Sequence, residues 1–110
     1  MSGEATFRAI ADPSRRRMLD HLASGERSVT ELCDLFEMSQ PAISQHLKIL
    51  RDAGLVRNRR EGRTRLYSLD ARPLLEVYDW VSHYQRFWVV KLDALATLLA
   101  REAAKKPGKR

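Results

Sequence analysis

The sequence predicts a mostly α-helical fold that carries one β-hairpin. Three observations carry this expectation. Residues 39–56, Ser-Gln-Pro-Ala-Ile-Ser-Gln-His-Leu-Lys-Ile-Leu-Arg-Asp-Ala-Gly-Leu-Val, open with a residue that caps helices and stop at a glycine that ends them. Only Glu37 and Met38 separate this segment from a preceding short amphipathic run. Downstream, two arginine-loaded extended runs flank Gly62 and lead into about thirty residues with an apolar repeat at helical spacing.

Taken in order, residues 4–11 form a short helix with Phe7 and Ile10 on one side. Asp12-Pro13 then reads as a cap followed by a first helical position. The helix it opens runs to about Ala23, buries Met18, Leu19 and Leu22, and is closed by Gly25. Arg15, Arg16 and Arg17 are partly exposed on it. Arg16 and its neighbours read equally as phosphate contacts or as a solvated face. Ser28-Val-Thr-Glu31 fits a capping box, and the helix behind it continues through Leu32, Cys33, Leu35 and Phe36. Two short helices joined across so tight a turn must cross steeply, which is the helix-turn-helix arrangement.

In the second of these helices Ser39 is the cap and Pro41 lies in the first turn. Ile43, Leu47 and Leu50 recur at i, i+4 and i+7 as a buried stripe. The opposite side carries Pro41, Ser44, Gln45 and Lys48, with Gln40 projecting from the leading end. A merely solvated face would be rich in Glu and Lys. This one is uncharged and hydrogen-bonding at its start and basic further along. Gln and Ser pair with base edges and Lys neutralises phosphate, so the segment reads as a recognition helix for the DNA major groove.

After Gly54, residues 55–60 and 63–69 make two strands around Glu61-Gly62. Leu66 is expected to point inward between an outward Arg65 and Tyr67. Arg57, Arg59, Arg60, Arg63 and Arg65 face one Glu in this hairpin. Like charges set opposite each other destabilise a sheet, and the cluster makes sense where phosphates or a minor groove neutralise it. Arg59, Arg60, Arg63 and Arg65 are therefore the expected backbone contacts of a wing. Helix-turn-helix followed by a basic hairpin is a winged helix.

Asp70 and Pro73 open a last helix expected to run to about Ala104. Leu74, Tyr78, Val81, Gln85, Trp88, Leu92, Leu95 and Leu99 form a seam at alternate spacings of four and three, broken at Gln85. Some thirty residues at 1.5 Å each reach about 45 Å, more than a domain of this size covers. Val77, Trp80, Tyr84 and Phe87 widen the apolar stripe, so one side is left for a partner, and a symmetric dimer is the economical reading. The cluster Trp80, Tyr84, Phe87 and Trp88 could instead line a ligand pocket. Residues 1–104 read as one DNA-binding and dimerisation domain, with 105–110 as a disordered basic tail.

Composition narrows the function classes. At 44% hydrophobic and 31% charged, the chain is neither disordered nor membrane-embedded, and no apolar run approaches the roughly 18 residues of a spanning helix. The N-terminal residues have no apolar signal core, which predicts a cytoplasmic protein. The single Cys33 excludes an internal disulfide. A net charge of +6 favours a polyanionic partner, with four of the basic residues in the tail. Three histidines, one cysteine and scattered carboxylates form no nucleophile–base–orienter pattern, so no enzyme activity and no cofactor are expected.

Over nearly its whole length the chain resembles the ArsR/SmtB family of winged-helix repressors. The resemblance rests on Ala11-Asp12-Pro13-Ser14-Arg15-Arg16, Ser39 through Leu50, Ala53-Gly54-Leu55-Val56, Arg60-Glu-Gly62-Arg63 and Tyr67-Ser-Leu69. Tyr84-Gln-Arg-Phe87-Trp88 with Leu92-Asp-Ala-Leu95 is similar to a branch without metal sites. The resemblance implies a homodimer joined through its first and last helices, binding a palindromic operator in double-stranded DNA and repressing transcription. Phe7, Tyr78, Val81, Trp88, Leu92, Leu95 and Leu99 then lie at the dimer interface. Residues matching Ser39, Gln40, Ser44 and Gln45 lie in the major groove, and His46 has a packing and hydrogen-bonding role. Metal-sensing members carry a cysteine pair before the recognition helix or ligands on the last helix. Here Cys33 stands alone, and Asp79 and His83, with Asp93 and Glu102 scattered beyond them, complete no tetrahedral site. A buried, inert Cys33 and no bound metal are expected. Two other readings stay open: a thiol or metal sensor acting through Cys33, and a winged-helix adaptor for another protein. The sequence specifies no small-molecule effector.

Overall fold

The computed structural model describes residues 3–105. The elements are α1 (Gly3–Ile10), α2 (Pro13–Leu22), β1 (Arg27–Ser28), α3 (Val29–Phe36), α4 (Gln40–Asp52), β2 (Val56–Glu61), β3 (Thr64–Leu69), α5 (Leu74–Ser82) and α6 (Gln85–Lys105). They fall into two compact units divided between Val77 and Tyr78. Of the expected basic tail, only Lys105 lies within the description, as the last residue of α6.

Local chemistry sets the helix ends of the first unit. The Asp12 carboxylate accepts from the backbone N–H groups of Ser14 (2.7 Å) and Arg15 (3.2 Å), and Pro13 takes the first helical position of α2. Both halves of the capping box at α3 form: Glu31 N–H donates to Ser28 Oγ at 3.1 Å, and Ser28 N–H donates to Glu31 Oε1 at 2.8 Å. At the end of α4, Gly54 adopts φ 79°, its N–H donates to Arg51 O, and Leu55 N–H donates to Leu50 O, each at 2.9 Å. This is the Schellman closure, with Leu50 and Leu55 both fully buried as its apolar contact.

The core joins Ala9 of α1, Met18, Leu19 and Leu22 of α2, Leu32 of α3, and Ile43, Leu47 and Leu50 of α4 to Leu55 and Val56. The expected stripes on α2 and α4 are thus the buried ones. On α1 the buried residues are Thr6 and Ala9, while Phe7 and Ile10 are half-buried. Arg17 lies over the Phe36 ring, and His21 meets the same ring edge-on, so α2 and α3 also share an aromatic contact.

The sheet has three strands in the order β1-β3-β2, all antiparallel. The hairpin was expected; β1 was not. It is two residues long and pairs Arg27 with Tyr67 and Ser28 with Leu66, too short to leave a periodic signal. The alternation on β3 is also the reverse of the expected one. Tyr67 and Leu69 pack against the core and Leu66 does not. Tyr67 opposes Asn58 and Leu69 opposes the buried Val56, and opposed residues share a face. The core beneath Val56 therefore decides which way β3 turns.

The expected single last helix is two helices. The Ser82 hydroxyl donates to Asp79 O at 2.7 Å, the carbonyl that His83 N–H would use in a continuing α-helix. His83 N–H instead reaches Trp80 O and Tyr84 N–H reaches Val81 O, both three residues back. Back-bonding by serine competes with the backbone ladder and breaks it here. Asp70 does not cap α5 directly. It accepts from Arg72 N–H in a local turn four residues before the helix begins. Within the second unit, Tyr78, Val81, Ser82, Gln85, Trp88, Val89 and Leu92 line one groove that continues across the break. Trp80 and Tyr84 meet edge-on. Among the described residues no helix is long and apolar enough to cross a membrane.

Asp12 ties this local chemistry to pH. Partial burial raises its carboxyl, but the Arg15 and Ser14 N–H groups and the Arg15 charge lower it more, so it ends below the ordinary aspartate value. Asp12→Ala should cost about 1 kcal/mol at neutral pH. The contribution is fully present above the unfolded value of about 3.9 and is lost as the pH falls through the lowered folded value. Urea unfolding of parent and variant should show the gap closing in acid; a constant gap down to the acid limit would contradict the cap.

Candidate nucleic-acid interface

Helix α3 ends at Glu37, which takes the left-handed conformation (φ 54°, ψ 42°) and donates its N–H to Cys33 O at 2.8 Å. The chain then reverses within two residues and Ser39 caps α4, its Oγ accepting from Ala42 N–H at 3.3 Å. With Ile43, Leu47 and Leu50 facing the core, Ser39, Gln40, Pro41, Ser44, Gln45 and Lys48 are all exposed. Lys48 Nζ pairs with Asp52 at 3.0 Å on the same face. The expected polar face of the helix is present as one surface.

The wing stands beside it. Glu61 opposes Thr64, so Gly62 and Arg63 alone form the turn. Gly62 has φ 63° and Arg63 has no positive φ, the type II′ pattern with glycine in the first central place. Arg63 is thereby held at the hairpin tip. Arg60 and Arg65 sit directly opposite each other, and Arg65 donates to the neutral Asn58 Oδ1 at 2.7 Å. Among the described residues, neither Arg60 nor Arg63 is in an ion pair. Two cations outside any described ion pair are what a phosphate would neutralise.

Other expected contacts are engaged elsewhere. Arg59 grips Glu26 with two bonds, Nε at 2.9 Å and Nη2 at 2.8 Å, and lies 3.5 Å from Glu61. The bond from Arg59 holds the Glu26 carboxyl below its usual range. Arg59 therefore staples β2 to the loop before β1. Arg57 lies 3.4 Å from Asp70, whose carboxyl is held far below the usual range chiefly by hydrogen bonds from Arg72. Arg16 donates to Ile10 O at 2.7 Å, closing α1. Sequence reasoning passed over Arg51 and turned Tyr67 outward. These two, with Ser44, Leu47 and Lys48, line a cleft between α4 and β3. Arg51 follows Ser44 and Lys48 at i+7 and i+3, a spacing that was available to find it.

Cys33, expected to be buried, is half-buried against the core. His83 lies in the turn between α5 and α6, off the helix that was expected to pair it with Asp79. Among the described residues no three His, Cys, Asp or Glu side chains are grouped to hold a metal ion.

A tight two-helix crossing, a polar outward face on its second helix and a basic hairpin beside it define a winged helix-turn-helix DNA-binding protein. Residues 12–58 match the model of the family described as bacterial regulatory protein, arsR family. The transcriptional repressor SdpR of Bacillus subtilis is 36% identical over 78 residues, 71% of this chain and 87% of that protein. The HTH-type transcriptional regulator Rv2034 of Mycobacterium tuberculosis is 38% identical over 101 residues, 92% of each. The crystal structure of an ArsR family transcriptional regulator superposes with a TM-score of 0.68 at 34% identity, over 76% of this chain and 87% of the other. NolR from Sinorhizobium fredii superposes with a TM-score of 0.62 at 34% identity, over 72% and 79%. The chain belongs to the ArsR family. It is a DNA-binding transcription regulator and not an enzyme.

Proposed function

We propose that the protein is a cytoplasmic homodimeric repressor that reads a palindromic operator with α4 and grips the flanking backbone with its wing. The observation that carries this reading is an uncharged hydrogen-bonding surface, Ser39, Gln40, Ser44 and Gln45, on a helix whose neighbouring hairpin carries the unpaired Arg60 and Arg63. Base edges need donors and acceptors of that kind, and phosphates need the charge. Among the described residues Arg65 bonds only the neutral Asn58 and Arg16 only the Ile10 carbonyl, so both keep their positive charge. Arg59 and Lys48, ion-paired with Glu26 and Asp52, contribute less. The repressor assignment is supported by SdpR, which is itself named a transcriptional repressor.

Dimerisation is supported by the side chains left exposed along the second unit: Tyr78, Trp88, Leu92, Leu95 and Leu99 are each between 46 and 67% exposed. Val81 is half-buried on the same stripe. An apolar row of that length marks an interaction surface. Phe7 is assigned to the interface on the family resemblance alone.

Selection of bound fragments from a random DNA pool tests the reading and supplies the half-site spacing, expected at about one helical turn or a multiple of it. On the selected site Gln45→Ala should cost about 1–3 kcal/mol and relax preference at one position. Arg63→Ala should weaken all sequences alike and lower the salt slope by about one unit per half-site. Full sequence preference in the Gln45 variant would show that α4 is not oriented as proposed.

A further inference from the structure

The Arg15 side chain is only 13% exposed and engages three elements at once. Its Nε donates to Ala9 O at 2.7 Å and its Nη2 to Arg8 O at 3.2 Å, which takes up two carbonyls at the end of α1. Its Nη1 lies 3.3 Å from His46 Nδ1 on α4 and 3.9 Å from Asp12 Oδ2 at the cap of α2. A guanidinium has donors and no acceptor, so His46 Nδ1 accepts and the imidazole proton sits on Nε2. A planar fork held on three sides has little freedom to turn.

We infer that Arg15 is a positioning residue for sequence reading: through His46 it sets the rotation of α4 against α1 without touching DNA. The apolar stripe Ile43, Leu47 and Leu50 holds the depth of the helix, but apolar packing is non-directional and permits small rotations. The bond at His46 is directional. His46 directly follows Gln45, so a fixed imidazole also fixes where Gln45 leaves the helix. A misaimed Gln45 would still leave the wing cations on the backbone. The loss should therefore fall on discrimination between sequences and leave non-specific affinity in place.

The inference rests on α4 being the reading helix, and the experiment separates the two. Affinities are measured at one salt concentration for a pool-selected fragment and for a scrambled fragment of equal length. Arg15→Met and His46→Leu should each reduce the ratio of the two affinities by roughly tenfold, and the double variant by no more than the larger single loss. His46→Asn, whose Oδ1 stands close to the Nδ1 position, should recover most of what His46→Leu loses. A purely structural defect lowers the folded fraction for both fragments equally and leaves the ratio unchanged. If Arg15→Met does not fold, the two His46 variants decide: a ratio that falls with Leu and returns with Asn supports the role, and equal ratios overturn it. Additive losses in the double variant also overturn it. Gln45→Ala is run alongside. An unchanged ratio there removes the reading helix itself and this inference with it. A fall there, with none at Arg15 or His46, overturns the positioning role alone.

Discussion

Leu92→Glu is expected to separate the protein into monomers at tens of micromolar and to weaken binding to a two-half-site fragment by about 10²–10⁴-fold. Leu92 is 57% exposed on α6 and lies in the groove with Tyr78, Val81 and Trp88. In the proposed dimer that groove is covered, and a carboxylate placed there would be stripped of water with no cation on the groove to pair with. The dimer would dissociate rather than accept it. Each monomer would then keep one half-site and lose the advantage of linked binding. Sedimentation supplies the assembly state, and titration of one-site and two-site fragments supplies the affinities. Binding to a single half-site should hardly change, because Leu92 is remote in sequence from α4 and the wing. A variant that stays dimeric with full affinity for both fragments would place the interface elsewhere.

Leu50→Ala should lower the stability of the first unit by about 2–5 kcal/mol, the cost of a large core truncation. Leu50 is fully buried, ends the stripe begun by Ile43 and Leu47, and forms the apolar contact of the helix closure with Leu55. Its partners come from several elements, so no single side chain can move to fill the space. Small domains are stable by roughly 5–15 kcal/mol, so the loss is a large share of the whole. Urea denaturation should show a lower midpoint at an unchanged slope. DNA discrimination measured where the variant is still folded should be retained, since Leu50 carries no reading group. A cost under about 1 kcal/mol would mean that the site collapses easily and that α4 is less firmly seated than its burial implies.

The parts of the interface legible in sequence were those expressed on one helix. A 3.6-residue repeat separates the Ile43, Leu47 and Leu50 side of α4 from the Ser44, Gln45 and Lys48 side without knowledge of any neighbour. Arginine partners were not legible in the same way. Arg59 finds Glu26 at a separation of 33 residues, and Arg15 finds His46 at 31. A run of like charges gives no distances, so it could not tell Arg63, at the tip and unpaired, from Arg59, which is neutralised.

The sequence by itself determined the starts of α2, α3 and α4, the glycine stop of α4, the tight reversal between α3 and α4, and a glycine turn in the wing. Each depends on contacts within about five residues: Asp12 with Arg15, Ser28 with Glu31, Leu50 with Leu55. Such contacts form from the local chain alone. The tertiary structure decided which face of β3 is buried, the existence of β1, and which cations remain available to DNA. An alternating strand is compatible with either face until a core lies beneath it, and Val56, opposite Leu69, belongs to a core built mostly by α1 to α4. A two-residue strand has no periodicity of its own and exists because β3 is there to pair with it. An exposed arginine binds whichever acceptor the fold brings within reach, and that distance is a property of the packed chain.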